Sequence, residues 1–365
     1  VIIQRLGATR IRIPLRDRFV TAHGTLAARE SWIITLESDD GAIGVGEAAP
    51  LAGHSLPPGP PVDGLLDKIR SALPLPLAAL PRPLGATASE AAVRFAIETA
   101  ELDLSGTVAE RPLVDLLGGG RPAVPVNAVI DATDDDEVVA RARGAAQTGF
   151  GTIKLKVGTR PLREEERRLA RIREAIGSSI RLRLDANGAW NEATATSALS
   201  LLRRFHIEFV EQPVPPHHFA VLRRVRQASA IPIAADEDVW SPEAGRQLLD
   251  AEAVDLLVLK PMVLGGLRAA LALAQEAHAH GVRCVVTTTI DSGVATAAAL
   301  HLAAAIPGPL PACGLATTSL LETDLLVQPL AVVGGVMSVP RRPGLGIAVD
   351  AQALQRFAVR EAGTR

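Results

Sequence analysis

From about residue 124 onward, short apolar runs rich in Val and Ile alternate with longer Ala/Leu/Arg segments at a nearly constant period. The runs cover residues 124–131, 152–157, 180–185, 207–211, 231–236, 254–260, 283–289 and 311–316, with helical segments such as 163–176, 192–205, 264–280 and 293–305 between them. Strands that are apolar on both faces and joined by helices require a parallel sheet covered on both sides. Eight such units in about 200 residues fit a (β/α)8 barrel. A doubly wound open sheet, the rival α/β fold, would usually carry a Gly-rich phosphate loop after its first strand, and none follows here.

The first 120 residues have a different texture. Residues 2–15 and 31–37 read as antiparallel strands, with Asp39-Asp40-Gly41 turning the chain into 42–46. A Pro-rich loop over 51–61 and helical segments through 89–105 complete an α+β unit, and Gly118-Gly119-Gly120 marks its junction with the barrel. Residues 332–349 again read as strand and turn, a tail returning to the first unit. The expected division is therefore 1–120, 121–330 with the active site, and 331–365.

Composition narrows the class. With 48% hydrophobic residues the chain can bury a large core, and its formal charge of −2 leaves no electrostatic footprint for nucleic acid. Cys284 and Cys313 are the only cysteines, which implies neither a disulfide framework nor a thiolate zinc site. Residues 1–15 alternate like a strand rather than a signal peptide. The apolar stretch 293–305 contains His301 and is followed by Pro307, so a buried helix is expected and no membrane span. A cytoplasmic protein follows as the expectation.

Thirty-four arginines stand against four lysines, and three of those four, Lys154, Lys156 and Lys260, fall near the ends of apolar runs. Arg stays protonated in any protein environment, whereas a Lys amine can be brought to act as a base. Between the lysines, Asp185, Glu211 and Asp236 close three successive runs, 26 and then 25 residues apart, and Lys260 follows 24 residues later. Each interval is one βα unit, and active sites of such barrels form where the strands end. Period-2 geometry places Lys154 with Lys156, and Asp185 with Asn187, on common faces. Three converging carboxylates need a cation, and hard oxygen donors without His suit Mg²⁺ better than zinc. Lysines flanking a metal-bound carboxylate would take the proton from the neighbouring carbon, leaving an enediolate.

These residues resemble the enolase superfamily, in particular its muconate lactonizing enzyme subgroup. The resemblance rests on Lys154-Leu155-Lys156, on Asp185, Glu211, Asp236 and Lys260, and on the local contexts Val210-Glu211-Gln212-Pro213 and Gly44-Val45-Gly46-Glu47. It implies an N-terminal α+β capping domain on a modified barrel of (β/α)7β type, with the tail returning to the cap. It also implies Mg²⁺, or Mn²⁺ as a substitute, on Asp185, Glu211 and Asp236. Lys156 would be the principal base, Lys154 its electrostatic neighbour, and Lys260 would face it across the substrate. Cap loops bearing Thr21, His23, Gly24 and His54 would shape specificity.

Within the subgroup, the hydroxyl-rich segment from Thr287 to Ser292 and the Lys260-Pro261 pair look most like o-succinylbenzoate synthases, lyases that dehydrate a cyclohexadiene carboxylate in menaquinone biosynthesis. Thr287, Ser292 and Thr317 would then bind the succinyl carboxylate, with Asn187 a further contact. The alternatives are isomerases on the same scaffold: a racemase or epimerase of N-acylamino acids or dipeptides, or a cycloisomerase. A non-catalytic binding barrel is the remaining class, although binding alone has no need of titratable lysines. Residues 314–318 lack the Asp-x-Asp with which dipeptide epimerases hold an amine. The expected partner is a small carboxylate substrate, with homo-oligomerisation open.

Overall fold

The first strand runs far because its apolar residues keep period 2. β1 (Ile2–Thr21) buries Ile11, Ile13 and Leu15 on one face and pairs antiparallel with β2 (Gly24–Ser38). β3 (Ile43–Ala48) follows the expected turn at Asp39–Gly41, and the short β4 (Leu75–Pro76) completes a sheet of order β3-β2-β1-β4. α1 (Val62–Arg70) buries Val62, Leu65, Leu66 and Ile69, one helical stripe. α2 (Ala88–Val108) packs so closely on β3 that a Cβ at Gly44 or Gly46 would stand 2.0 Å from the carbonyl oxygen of Ala100 or Ala96. A computed structural model supplies this architecture and describes residues 1–21, 24–51, 55–132 and 134–359.

After α3 (Leu113–Leu116) the expected first barrel run divides in two. β5 (Ala123–Pro125) pairs antiparallel with the tail strand Val336–Ser338, whereas β6 (Ala128–Ile130) opens the barrel. The staves that follow are β7 (Thr152–Lys156), β8 (Arg181–Asp185), β9 (Ile207–Glu211), β10 (Ile233–Ala235), β11 (Leu256–Leu259) and β12 (Arg283–Val286), each parallel to the one before. The intervening helices are α4 (Asp135–Gln147), α5 (Leu162–Ile176), α6 (Glu192–Leu202), α7 (Phe219–Ala228), α8 (Pro242–Asp250) and α9 (Leu267–Ala279), with α10 (Gly293–Ala305) after β12. Asp134, Asn191, Ser241 and Ser292 cap α4, α6, α8 and α10 by accepting first-turn N–H bonds.

The eighth run is not a strand. Its residues close the barrel through two isolated parallel bridges, Thr287 to Gly314 and Val126 to Cys313. Pro307, Pro309 and Pro311 lead into it and a 3₁₀ turn (Ala316–Leu320) follows, so only a short length of backbone is available for pairing. The architecture is the (β/α)7β variant of the barrel, capped by the antiparallel sheet. The tail returns to the first sheet and its helix: Ala358 bridges Ile11, Leu345 N–H donates to Asp103 of α2 (2.7 Å), and α11 (Ala351–Phe357) contacts β1.

No helix among the described residues is long and apolar enough to cross a membrane. Both cysteines are free and buried; desolvation pushes the Cys284 thiol up to about 12 and the Cys313 thiol up to about 11, so neither is a reactive thiolate.

Candidate active site

Sheet register brings the strand-end residues into one layer. Lys156 lies opposite Asp185, Asp185 opposite Glu211, and Glu211 opposite Ala234, two residues before Asp236. Asp236 and Lys260 each stand one residue beyond their strands, β10 and β11. β7 and β11 are the second and sixth of eight staves, so their lysines enter the barrel from opposite walls, with the carboxylates of β8, β9 and β10 between them.

All six side chains line one cavity of about 840 Å³, part of it open to solvent. The Lys154 ammonium reaches Asp185 (2.9 Å) and Glu211 (2.5 Å), and Lys260 pairs with Asp236. Burial by itself would lower the Lys154 pKa, but Asp185, Glu211 and Asp236 together carry it above its ordinary value. Lys154 is therefore held as a cation, suited to electrostatic work rather than to proton abstraction. Glu211 is pushed up to about 8, first by desolvation and then by Asp185 and Asp236, with Lys154 pulling the other way. Glu237 is pushed to about 8 by desolvation, Asp236 and Asp185, and its Oε2 is buried without a hydrogen-bond partner.

That pattern is buried negative charge incompletely compensated by the protein. Among the described residues no three His, Cys, Asp or Glu stand at metal-holding separations, and the ammonium groups of Lys154 and Lys260 lie on the carboxylates. The donor chemistry nevertheless fits a hard divalent cation: three carboxylates on consecutive staves, all oxygen, with the raised proton affinity of Glu211 one that such a charge would reverse.

Other expected contacts divide. Asn187 lines the cavity with φ +42°; its N–H donates to Asp185 (3.1 Å) and its side-chain amide to Glu237 (3.0 Å). Thr287 and Thr317 also line it, together with Thr288 and Thr289. Ser292 does not. It caps α10, and its hydroxyl donates to Glu47 of the cap (2.6 Å). Thr21 and Gly24 pair across the β1–β2 hairpin, while His23 and His54 lie outside the described residues.

Sequence reasoning gave no role to Glu237, although it follows Asp236 directly, and did not identify the apolar wall of Leu26, Leu51, Val129, Ile290 and Leu320. It also quoted Gln212 without giving it work. The Gln212 side chain accepts from Asp236 N–H (3.1 Å) and Asp238 N–H (3.3 Å) and donates to Asp238 (2.8 Å), fixing the turn that presents Asp236.

Residues 137–353 match the family described as enolase C-terminal domain-like. An L-Ala-D/L-Glu epimerase of Bacillus subtilis is 32% identical over 94% of this chain and 96% of its own length. The chain belongs to the enolase superfamily. An o-succinylbenzoate synthase of Thermobifida fusca is 43% identical over 60% of this chain and 68% of its own. The solved dipeptide epimerase of Enterococcus faecalis, complexed with Mg and the dipeptide L-Leu-L-Tyr, superposes with a TM-score of 0.85 at 28% identity, over 95% of this chain and 100% of its own. This protein is thus an enolase-superfamily enzyme whose relatives include isomerases and a lyase, and members of the superfamily bind Mg²⁺.

Proposed function

We propose that this enolase-superfamily enzyme is a racemase or epimerase that moves the α-proton of an N-acylated amino acid, the class that includes the C-terminal residue of a dipeptide. The observation that carries the reading is the placement of Lys156 and Lys260 on opposite walls of one cavity. A base on one face removes the proton, and an ammonium on the other face returns one, inverting the carbon. Asp185, Glu211 and Asp236 would hold Mg²⁺, which when bound offsets the negative charge that develops on the substrate carboxylate. Lys154 adds a fixed positive charge beside that set.

The hydroxyl wall favours an amide. Thr287 donates to the Gly314 carbonyl (3.0 Å), Thr288 has the same acceptor (3.3 Å), and Thr317 meets the Thr288 hydroxyl at 2.5 Å. With Thr287 and Thr288 both donating to Gly314 O, Thr317 donates to the Thr288 hydroxyl, and in that arrangement the wall presents lone pairs, which accept from an amide N–H better than they serve a carboxylate. No carboxylate stands in residues 314–318 to neutralise a free ammonium, so acylated nitrogen suits the site. The full-length similarity to the Bacillus epimerase supports the isomerase class.

A second reading, dehydration to o-succinylbenzoate, is favoured by the higher identity to the Thermobifida enzyme and by the Lys260-Pro261 pair. The two separate in one assay: N-succinylamino acids, dipeptides and the cyclohexadiene substrate, each with Mg²⁺ in D₂O. Racemisation with α-deuterium uptake supports the first. Dehydration without amino acid exchange overturns it. Lys156→Ala and Lys260→Ala should each slow racemisation by roughly 10²–10⁴-fold while leaving slow exchange in one enantiomer only, a different enantiomer for each variant.

A further inference from the structure

The wall opposite in character to the threonines is apolar, and its members come from distant parts of the chain. Leu26 belongs to β2, Leu51 follows the end of β3, and Ile290 follows β12. One buried guanidinium, carried on the strand of Leu26, touches the backbone beside Leu51 and at Ile290. Arg29, three residues after Leu26 on β2 and only 6% exposed, donates through Nη2 to Ala49 O (2.7 Å), through Nη1 to Pro50 O (3.3 Å) and through Nε to Ile290 O (3.1 Å). Nη2 also stands 3.6 Å from Asp291 Oδ1.

The barrel segment it holds would not rest there by preference. Ile290 has φ +62°, a left-handed conformation that a β-branched residue avoids. Asp291 secures one side of this turn by accepting from Thr289 N–H (3.1 Å) and Thr289 Oγ1 (2.6 Å). Glu47 secures the other by accepting from Ser292 N–H (3.2 Å), Ser292 Oγ (2.6 Å), Ala295 N–H (3.0 Å) and, from β2, Ser31 Oγ (2.9 Å). Arg29 and Ser31 share one face of β2, so this face of the cap is built to grip the turn after β12.

We propose that Arg29 is a positioning residue for specificity: by binding the carbonyls of Ala49, Pro50 and Ile290 it sets the spacing of the Leu26, Leu51 and Ile290 walls, and so the size of apolar substituent the enzyme accepts. Only a planar fork of five N–H donors can serve three carbonyls and a carboxylate at once; an ammonium at the same place keeps the charge and loses the geometry. The charge partner is thus separable from the positioning role. The kinetic part of the test rests on the α-proton reading above; the exchange part does not.

The test uses the full chain with Mg²⁺ and compares wild type with Arg29→Lys and Arg29→Met on N-succinylalanine and N-succinylleucine, which differ only in the apolar side chain. Both variants should lose roughly tenfold in kcat/KM for the leucine compound, mainly through KM, and less than about threefold for the alanine compound. Equal losses on both substrates, or full recovery by Arg29→Lys, would overturn the proposal. Amide hydrogen exchange provides a readout independent of turnover. Faster exchange confined to residues 46–51 and 287–293 in both variants supports the positioning role. Unchanged exchange in those segments, or acceleration across the whole cap, refutes it even if neither compound is a substrate for the wild type.

Discussion

At the scale of single residues, His301 shows how a polar group inside an Ala-rich helix is made acceptable. Val114 N–H donates to its Nδ1 (3.1 Å), so its other nitrogen, Nε2, carries the hydrogen and donates to Leu345 O (3.1 Å). One neutral ring thereby ties α10 to α3 and to the tail. Burial lowers its pKa to about 4 from an ordinary 6.5, with the Leu345 bond opposing. The unfolded chain therefore binds a proton that the folded one refuses between those values. The His301 contribution is fully present above pH 6.5 and is lost as pH falls toward 4, at a cost on the order of 3 kcal/mol. Urea midpoints across this range should fall with pH in the wild type and fall less in His301→Gln. Parallel curves would place the acid sensitivity elsewhere. The lysines and carboxylates of the site were legible in the sequence because strand period and barrel period both constrain them. The Arg29 cluster was not, since it joins β2 to a turn 261 residues away and has no local signature.

At the scale of elements, the same contrast has a packing cause. Gly44 and Gly46 belong to a motif visible in the sequence, and their reason appears only once α2 lies across β3. A methyl group at Gly46 would meet Ala96 O at 2.0 Å, backbone against backbone, so the helix must move away. Gly46→Ala should destabilise the protein by about 1–3 kcal/mol, visible as a lower melting temperature, and should disturb the neighbouring Glu47 anchor. A melting temperature equal to wild type would mean that α2 has more freedom than its contacts indicate. Ser292 is the instructive misreading. Its hydroxyl suggested a substrate contact, but the helix starting at Gly293 marks it as an N-cap, a signal already available in the sequence. The run 311–316 was read as a strand on apolar content alone, while Pro311 and the prolines before it limit it to bridges.

At the scale of the molecule, charge in the cavity links stability to the metal. Glu211 and Glu237, both pushed to about 8, represent a cost that a bound divalent ion removes. Adding Mg²⁺ should therefore raise the melting temperature, by about 2.7 kcal/mol of stability at a hundredfold excess over Kd, and EDTA should reverse the shift and abolish activity. Glu211→Gln should show little or no Mg²⁺-dependent shift. An identical shift in that variant would place the ion at another site.

The lightly stitched closure of the barrel has a consequence for how such an enzyme changes its reactants. Elsewhere in the sheet, one inserted residue would turn every following side chain to the opposite face. Between Gly314 and Thr318 no ladder continues, so a change of length there does not flip the lysines and carboxylates on the other staves, while Leu315 stays anchored in the core. On the proposed reading, the seam is the editable margin of the catalyst: reactant choice would be rewritten there while the lysines and carboxylates stay as they are.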